Sequence, residues 1–506
     1  MDTLAINPSG GLTYVLSHRE ALAKYAVTGT LQNTVFMTNK PVAPEILKYA
    51  KAVNDPKFVA SVALYSRKYG RMRDMSVLLV AWLSTLEDKT WFNKAFDQVV
   101  DNVGQLRKFV GVIRSGVVGR KSLGHAPKRA IQRFFDRTTA SKLFWQARGT
   151  KPSIADVIKL SHPKPNTSTK DALFAYFLGK ECNFIDLPEQ VQAFENFKTN
   201  TSGPIPNVPF ERLTSLNLSN TQWKAVFNNM TWNQIRKNVN TAIRKGLFEE
   251  SAFITQMANR IKDPNGITKS TALPMSLMAS IDALDSNTPL PIQNAMKASL
   301  NVSVANAPTI KGNVAIIVDV SGSMGQAANG RDGYISGSTS CVEAAAFFAA
   351  AIGQNVDGHC VIVPVDTRVR AIIPSTEIKD TWMFANKLAR YGGGGTNLGI
   401  AMQTVATLNP SPDLVIMTSD NESWADANTY HNSTIAHKEF QTILNKNEKA
   451  KLVCWNIVPN NLSQVPSSDT TMNIGGFTDV VFELITIFHE TKGAHSWVSL
   501  IEDVGF

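Results

Sequence analysis

Cysteine is scarce in this chain: its 506 residues include only four, Cys182, Cys341, Cys360 and Cys454, and no two of them form a CxxC pair. This scarcity argues against a disulfide framework or a zinc cluster and favours a reducing, cytoplasmic compartment. Long apolar runs are missing too. The opening residues MDTLAINPSGG contain no apolar signal core, and no stretch approaches the roughly 18 apolar residues of a membrane span. We therefore expect a cytoplasmic protein with no membrane partner.

The common sequence signatures of catalysis are also missing. The chain contains no GxxxxGK[ST] phosphate loop, no HExxH motif and no GxSxG motif. Four consecutive glycines at 392–395 lack the strand–glycine–helix context of a dinucleotide site. These absences favour a protein that is not an enzyme.

Charge is divided unevenly along the chain. Lys and Arg number 51 against 41 Asp and Glu, which gives a formal net charge of +10. Residues 1–305 contain 39 basic and 22 acidic side chains, whereas residues 306–506 contain 12 and 19. A basic first part and an acidic second part suggest different partners, of which the first is a polyanion.

The basic part is predicted to be helical. Between residues 17 and 300, apolar side chains recur at spacings of three and four in segments such as EILKYAKAV and MSVLLVAWLSTL. Many short helices in succession favour helix pairs stacked as a solenoid; an irregular all-α domain is the alternative, since no fixed repeat is visible. A chain of 506 residues is too long for one core. We place the boundary at the linker 305–309, so that residues 1–304 form the helical domain.

Residues 305–506 follow a different pattern. Short runs rich in Val and Ile at 313–320, 359–366, 413–419 and 451–459 alternate with helical stretches such as CVEAAAFFAAAIGQN. Continuous apolar runs of this length are typical of parallel strands buried on both faces. The alternation predicts a doubly wound α/β domain.

Oxygen ligands are concentrated where these strands end. The first strand runs into Asp319-Val-Ser321-Gly-Ser323, which places one carboxylate and two hydroxyls on one side of a turn. Thr396 follows the tetraglycine, and Asp420 follows the strand DLVIMTS. Hard oxygen ligands of this kind suit Mg²⁺, with Mn²⁺ or Ca²⁺ as alternatives.

This DxSxS…T…D pattern closely resembles the metal-ion-dependent adhesion site of von Willebrand factor A domains, and all five expected positions are filled. The resemblance implies that Ser321, Ser323 and Thr396 bind a divalent ion through their hydroxyls. Asp319 and Asp420 would act directly or through water, and one coordination position would be left for an acidic group of a protein partner. The alternative is a nucleotide-fold sheet with polar strand ends and no metal.

Basic residues are densest at 105–170, where 15 Lys and Arg accompany only two acids. A helix beginning near Pro127 would place Lys128 and Arg129 in its first turn, where basic side chains and free N–H groups suit phosphates. A second helix is predicted to end at His162. Phe and Trp residues are interleaved; such aromatics are usually core, although they can stack on unpaired bases. The stretch as a whole predicts binding of RNA or another polyanion.

The basic part also resembles the TROVE module of the Ro autoantigen and its bacterial relatives. Four stretches carry the resemblance in the family's order: LAKYAVTGTLQNTVFMTNK, GHAPKRAIQRFFD, IADVIKLSHPKP and MTWNQIRKNVNTAIRKGLF. With the A domain behind them, the similarity spans essentially the whole chain. His125 and Pro127 depart from the Arg and aliphatic residue that the family tends to have, which bears on the RNA partner more than on the fold.

This second resemblance implies a ring of HEAT-like helical repeats closed by the A domain, in a monomer. Family members bind small noncoding RNAs, the Y RNAs, on an outer basic surface and take single-stranded 3′ ends of misfolded or structured RNAs into a central hole. It also implies RNA quality control beside an exoribonuclease such as polynucleotide phosphorylase. The RNA contacts implied by motif matching are Lys128, Arg129 and His162, with nearby candidates at Arg120, Lys121, Arg133 and Lys164.

Two other functions are compatible with the sequence. A protein-adhesion module would use the metal site to capture an acidic protein ligand, with the basic part incidental. A metal-dependent nuclease would use the ion to activate water, but such enzymes usually place more carboxylates around their ions than Asp319 and Asp420. We therefore expect an RNA-binding scaffold without catalytic activity.

Overall fold

The computed structural model describes residues 2–28, 42–148, 151–326, 339–420, 423–425, 433–457, 460–476, 478–491 and 497–506. Contacts divide the chain into two compact units: Met1–Asn54, Tyr69–Arg71 and Ile254–Val504 in the first, and Asp55–Lys68, Met72–Phe253 and Gly505–Phe506 in the second. The predicted boundary at 305–309 stays a prediction, since the first unit takes in segments from both sides of it. Among the described helices, none has the length and apolar character needed to cross a membrane.

The chain up to residue 304 is helical after two short strands. The strands are β1 (Thr3–Ile6) and β2 (Leu12–Val15). The helices are α1 (His18–Thr28), α2 (Val42–Val53), α3 (Pro56–Lys68), α4 (Met75–Leu83), α5 (Thr90–Val99), α6 (Val103–Ser115), α7 (His125–Arg137), α8 (Ala140–Gln146), α9 (Ile154–Ser161), α10 (Ser168–Phe177), α11 (Glu189–Thr199), α12 (Phe210–Leu213), α13 (Asn220–Asn229), α14 (Trp232–Lys237), α15 (Val239–Arg244), α16 (Ser251–Ile261), α17 (Pro264–Ser270), α18 (Pro274–Asp282) and α19 (Leu290–Val304).

Helices α3 to α10 of the second unit pack in two rows. One row is formed by α3, α5, α7 and α9, each of which contacts the next, and the other by α4, α6, α8 and α10. Side-by-side packing of helices two apart in sequence is the arrangement of stacked helix pairs. The predicted solenoid is therefore confirmed for this stretch, while the closed ring implied by the resemblance stays a prediction.

Side-chain caps and buried aromatic rings fix these helices in place. The Asn102 side chain accepts a hydrogen bond from the backbone N–H of Gln105 and so begins α6. Asp156 and Ser153 form a capping box at the start of α9. Between the helices, the rings of Phe96 and Phe109 meet edge to face, with centroids 5.0 Å apart.

The remaining elements alternate between strands and helices. In chain order they are β3 (Ile310–Lys311), β4 (Val314–Asp319), α20 (Cys341–Gln354), β5 (Val356–Asp357), β6 (Cys360–Val365), β7 (Ile373–Pro374), α21 (Thr381–Leu388), α22 (Leu398–Ala406), β8 (Leu414–Ser419), α23 (Ile435–Lys446), β9 (Lys451–Asn456), β10 (Leu462–Ser463), β11 (Thr471–Gly475), α24 (Val480–Glu490) and α25 (Trp497–Glu502).

Six of these strands form one sheet in the order β11-β9-β8-β4-β6-β7, parallel except for β7. Every residue of β4 and β8 is buried, because helices cover both faces of the sheet. On one face Met402 of α22 and Phe440 of α23 join the core. On the other, the Phe348 ring of α20 lies 4.3 Å from that of Trp455, centroid to centroid. The predicted doubly wound α/β fold is confirmed.

A second, small sheet was not predicted from the sequence. β1 and β2 form an antiparallel hairpin, and β2 also pairs with β10, so that Val15 lies opposite Leu462 and Tyr14 opposite Ser463. The Lys24 ammonium of α1 is fully buried and donates a hydrogen bond to the Leu462 carbonyl at 3.1 Å. The first residues of the chain are thus built into the first unit with the α/β elements.

Candidate metal site and basic surface

The strand order of the large sheet reverses direction between β4 and β8. From β4 the chain passes through α20 to β6 on one side, and it later reaches β8 on the other. Loops leaving the carboxyl ends of β4 and β8 therefore diverge and leave a crevice at that edge. Asp319 is the last residue of β4, and Asp420 directly follows β8. The structure brings these two predicted carboxylates to neighbouring strand ends.

The Asp319 carboxylate is held in place by its neighbours. Its Oδ1 accepts a hydrogen bond from the Ser321 N–H at 2.9 Å, and its Oδ2 accepts one from the Ser419 hydroxyl at 2.6 Å. Burial, with the nearby charge of Asp420 as the second cause, raises the pKa of Asp319 to about 7, although the hydrogen bonds from Ser321 and Ser419 act in the opposite direction. Two adjacent buried carboxylates are favoured as anions when a cation lies between them.

The two predicted serine ligands lie together beside Asp319. The Ser321 and Ser323 hydroxyl oxygens are 3.1 Å apart. Ser321 is 4% exposed, whereas Ser323 is exposed to solvent. The DxSxS turn therefore offers one buried and one open hydroxyl, which is what a site for both an ion and an external ligand requires.

The tetraglycine segment lies against this turn and brings Thr396 to it. The Gly322 N–H donates to the Gly394 carbonyl at 2.9 Å. A Cβ at Gly392 would lie 1.9 Å from the Val320 carbonyl oxygen, so no other residue fits there without moving the backbone. Thr396, which follows this close approach, is 2% exposed. All five predicted metal-site residues thus lie at the same edge of the sheet.

Two further residues at this edge of the sheet, Ser419 and Asp366, were not predicted from the sequence. Ser419, the last residue of β8, holds Asp319 as described. Asp366 follows β6, is fully buried, and accepts hydrogen bonds from the Arg370 Nε at 2.8 Å and from the Gly394 N–H at 3.3 Å. Burial alone would raise the pKa of Asp366, but these hydrogen bonds and the guanidinium charge hold it below its ordinary value. Its position directly after an apolar run, like that of Asp420, was the available signal.

The donor set fits a small divalent cation. Two carboxylates and three hydroxyls supply only oxygen atoms, which Mg²⁺, Mn²⁺ and Ca²⁺ prefer. Groups of three or more His, Cys, Asp or Glu side chains that could hold a metal do not occur in the described part of the chain. A site of this composition therefore depends on its hydroxyls as much as on its carboxylates.

The predicted basic helix is α7, and it begins two residues earlier than expected. Gly124, with φ of 72°, precedes the first helical residue, His125. The Lys128 N–H donates to the Gly124 carbonyl at 3.3 Å, so it is used within the helix. Arg120 lies at the same end, with its Nη1 3.4 Å from where a Cβ of Gly124 would be. At this end of α7, the basic side chains rather than the Lys128 N–H group are therefore available to bind a phosphate.

Helix α9 brings the second group of predicted contacts to α7. The Gln132 side chain of α7 donates to the Ser161 carbonyl at 2.8 Å. His162 ends α9, as predicted, with a left-handed backbone (φ 50°). Arg129 on α7 and His162 and Lys164 after α9 are all exposed. The structure therefore assembles these residues on two packed helices.

Two of the seven predicted RNA contacts are engaged within the protein. Arg133 donates to Asp97 at 3.1 Å and to Asn93 at 3.2 Å. Arg120 donates to the Ser84 hydroxyl at 2.7 Å, and burial lowers its pKa. Of the predicted contacts, Arg133 forms an ion pair. Within the described residues, no ion pair is formed by Lys121, Lys128, Arg129 or Lys164.

The aromatic residues of the basic stretch are mainly core. Phe134, Phe135 and Phe144 are at most 1% exposed, and the Phe135 ring meets that of Phe174 edge to face at 5.3 Å. Trp145 is 39% exposed. Among these four residues, Trp145 has a ring that an unpaired base could reach.

Comparison with known proteins agrees with this architecture. Residues 313–489 match the family model of the Ro60 vWA domain. The structure of the Ro (RSR) protein of Deinococcus radiodurans is similar with a TM-score of 0.65 and 16% identity, covering 94% of this chain and 99% of that one. No curated protein sequence matches this chain.

Two further solved structures share little with this chain. An aerotolerance-related membrane protein of Bacteroides fragilis has a TM-score of 0.21 at 14% identity, covering 29% of this chain and 67% of that one. A mutant of the PilB minor pilin of Streptococcus sanguinis has a TM-score of 0.22 at 10% identity, covering 39% and 62%. Scores this low carry no argument.

The fold and the strand-end residues define a protein with a helical-repeat region followed by a von Willebrand factor A domain. Residues 313–489 of that A domain match the Ro60 vWA domain, and the chain shares the fold of the Deinococcus radiodurans Ro protein. The resemblance to the Ro family seen in the sequence is confirmed.

Proposed function

We propose that this chain is an RNA-binding protein without catalytic activity of its own. The observation that carries the proposal is the group of exposed basic side chains on α7 and after α9, within a chain that has the Ro fold. Cationic side chains bind the phosphates of RNA by releasing counterions. The finer proposal is that the RNA is a small noncoding, Y-like RNA, and that single-stranded 3′ ends of misfolded RNAs are also bound.

The setting of this activity is part of the proposal. A role in RNA quality control with an exoribonuclease partner such as polynucleotide phosphorylase rests on the family resemblance. A cytoplasmic location is supported by cysteine chemistry, since Cys182, Cys341, Cys360 and Cys454 are all free thiols. We also propose that the chain acts as a monomer.

Sequencing the nucleic acid that copurifies from the native host tests the proposal directly. A defined small RNA is the expected result, and the absence of RNA at low salt would contradict it. In binding assays with that RNA, replacing Lys128, Arg129 and His162 together by Ala should weaken binding strongly. Lys142→Ala is the matched control, because Lys142 belongs to the same basic stretch but lies on α8, outside the α7–α9 group.

A divalent ion, most simply Mg²⁺, is proposed at Asp319, Ser321, Ser323, Thr396 and Asp420. The ion would supply a positive centre for an acidic group, while the exposed Ser323 marks the open side of the site. This geometry also supports the second candidate function, capture of an acidic protein ligand. Capture that requires Mg²⁺ or Mn²⁺ and is lost in Asp319→Ala is the expected result; capture that survives a chelator would contradict it.

Nuclease activity is the weaker candidate, because the third carboxylate at this edge is already committed. Asp366 is held by Arg370, so that among the described residues of this edge Asp319 and Asp420 are the carboxylates left for an ion. Incubating the bound RNA with Mg²⁺ tests this. We expect the RNA to keep its length, and shortening that disappears in Asp319→Ala would establish the nuclease instead.

A further inference from the structure

The β1–β2 hairpin ends in a turn that Asn7 organises. The Asn7 N–H donates to the Gly11 carbonyl at 2.7 Å, and its side-chain Oδ1 accepts from the Gly11 N–H at 2.9 Å. Its Nδ2 donates to the backbone carbonyl of Ser423 at 2.8 Å. Asn7 is 3% exposed and Ser423 is fully buried. One buried amide therefore ties the hairpin turn to the segment 423–425.

Gly11 brings the same two segments into direct backbone contact. A Cβ at this position would lie 1.9 Å from the Ser423 carbonyl oxygen and 2.8 Å from the Trp424 Cα. Both obstructing atoms are backbone atoms, so no side-chain rotation would relieve the clash. The hairpin and segment 423–425 therefore pack backbone against backbone, with no room for a side chain at Gly11.

Segment 423–425 in turn holds the backbone around Thr396. The N–H groups of Trp424 and Ala425 donate to the Thr396 carbonyl at 3.2 and 3.1 Å. The Leu398 N–H donates to the Ser423 hydroxyl at 3.1 Å. Thr396, which carries one of the proposed ligand hydroxyls, is therefore fixed by the segment that Asn7 grips.

We propose that Asn7 is a positioning residue of the metal site, acting through Ser423 on Thr396. The inference rests on the proposed function, since it requires a divalent ion at Asp319 and Thr396. The open end of the hairpin is anchored by the pairing of β2 with β10, so the hairpin is held at both its turn and its open end. A ligand fixed before the ion arrives loses less freedom on binding, which is how residues outside the coordination shell raise affinity.

Variants of the full chain test this with Mn²⁺ as the probe, in calorimetry and electron paramagnetic resonance. Asn7→Ala should weaken Mn²⁺ binding by about tenfold, the low end for residues that orient metal ligands, and Gly11→Ala should weaken it as well. The matched control is Thr13→Val, because Thr13 of the same hairpin donates to the Ser463 carbonyl at 3.0 Å, away from segment 423–425. Its affinity should equal that of the wild type.

The reference variant Asp319→Ala separates the two ways of failing. If wild-type protein binds no Mn²⁺, or Asp319→Ala binds it equally well, the proposed metal site is wrong and the inference falls with it. If Asp319→Ala abolishes binding but Asn7→Ala leaves it unchanged, the metal site stands and the positioning role is refuted. An equal loss in Asn7→Ala and Thr13→Val would also refute it, because it would report damage to the hairpin as a whole.

Hydrogen exchange of the wild-type chain gives a test that does not depend on a variant folding well. Coupling between two sites is reciprocal, so an ion stabilised by the hairpin must stabilise the hairpin. Saturating Mn²⁺ should slow amide exchange in residues 3–15, and this slowing should be absent in Asp319→Ala. Slowing confined to the β4 turn and the tetraglycine segment would overturn the proposal.

Discussion

The basic side chains around α7 and after α9 lead to a quantitative prediction about salt. Lys121 before α7, Lys128 and Arg129 on α7, and Lys164 after α9 make no ion pair within the described residues, so each is available to a phosphate. Each contact with a single strand contributes about 0.7 to the slope of log affinity against log salt, so four contacts give a slope of about −2.8. Raising salt from about 50 mM to about 200 mM should then weaken RNA binding about 50-fold.

The perturbation that tests this reasoning compares two arginines of one helix. Arg129 is exposed and forms no such pair, whereas Arg133 is paired with Asp97. Arg129→Ala should lower the slope by about 0.7, while Arg133→Ala should lower it by clearly less, because Asp97 already neutralises that charge. Fluorescence anisotropy of a labelled copurified RNA across a salt series measures both slopes.

The outcome is decisive in either direction. Asp97→Asn should make the slope steeper, since Asp97 is also paired with Arg137 and its loss frees two guanidinium groups. Equal slopes for Arg129→Ala and Arg133→Ala, or a wild-type affinity insensitive to salt, would refute the claim that unpaired charge on α7 drives RNA binding.

Three further predictions concern the first unit. Mg²⁺ at about a hundred times its Kd should stabilise the wild type by about 2.7 kcal/mol; thermal unfolding should show no such gain in Asp319→Ala, and an equal gain would place the ion elsewhere. Trp455 is fully buried and donates to the Gly476 carbonyl at 2.9 Å, so Trp455→Ala should cost about 3–5 kcal/mol in urea unfolding, and a loss below about 1 kcal/mol would contradict this packing. Burial lowers the pKa of Lys24 to about 7, so the folded chain releases a proton that the unfolded chain keeps, and stability should rise with pH between about 7 and about 10. Lys24→Met should flatten that rise in the free energy of unfolding measured at pH 6, 8 and 10. An unchanged pH dependence would show that the buried Lys24 ammonium is not its cause.

The parts of the fold that the sequence revealed are those with a strong local pattern. β4 and β8 are buried along their whole length, so each appears as a continuous apolar run that leads into a polar residue of the candidate site. β11 escaped because Asn473 interrupts it. That side chain is 1% exposed and donates to Ser467 at 2.9 Å and to the Val465 carbonyl at 3.2 Å, so its polarity is satisfied by contacts that no local pattern displays.

The site was predictable to the same extent. Oxygen-bearing side chains at strand ends identified Asp319 and Asp420 as candidates, because parallel strands share an edge. The residues that support these candidates were not predictable, since each depends on a partner far away in sequence: Ser419 of β8 donates to Asp319 of the neighbouring strand β4, and Asn7 donates to the Ser423 carbonyl. A sequence pattern therefore identifies candidate site residues more readily than it identifies the residues that hold them in place.

The pairing of β2 with β10 also constrains when the protein can finish folding. β2 leaves the ribosome long before its partner Leu462, which follows only after residues 55–253 and most of the A domain have been made. Until then one edge of the hairpin has exposed backbone groups, which is a site for aggregation on a nascent chain. Synthesis halted after β2 but before residue 462 should therefore yield a chain in which β2 is still unpaired at that edge.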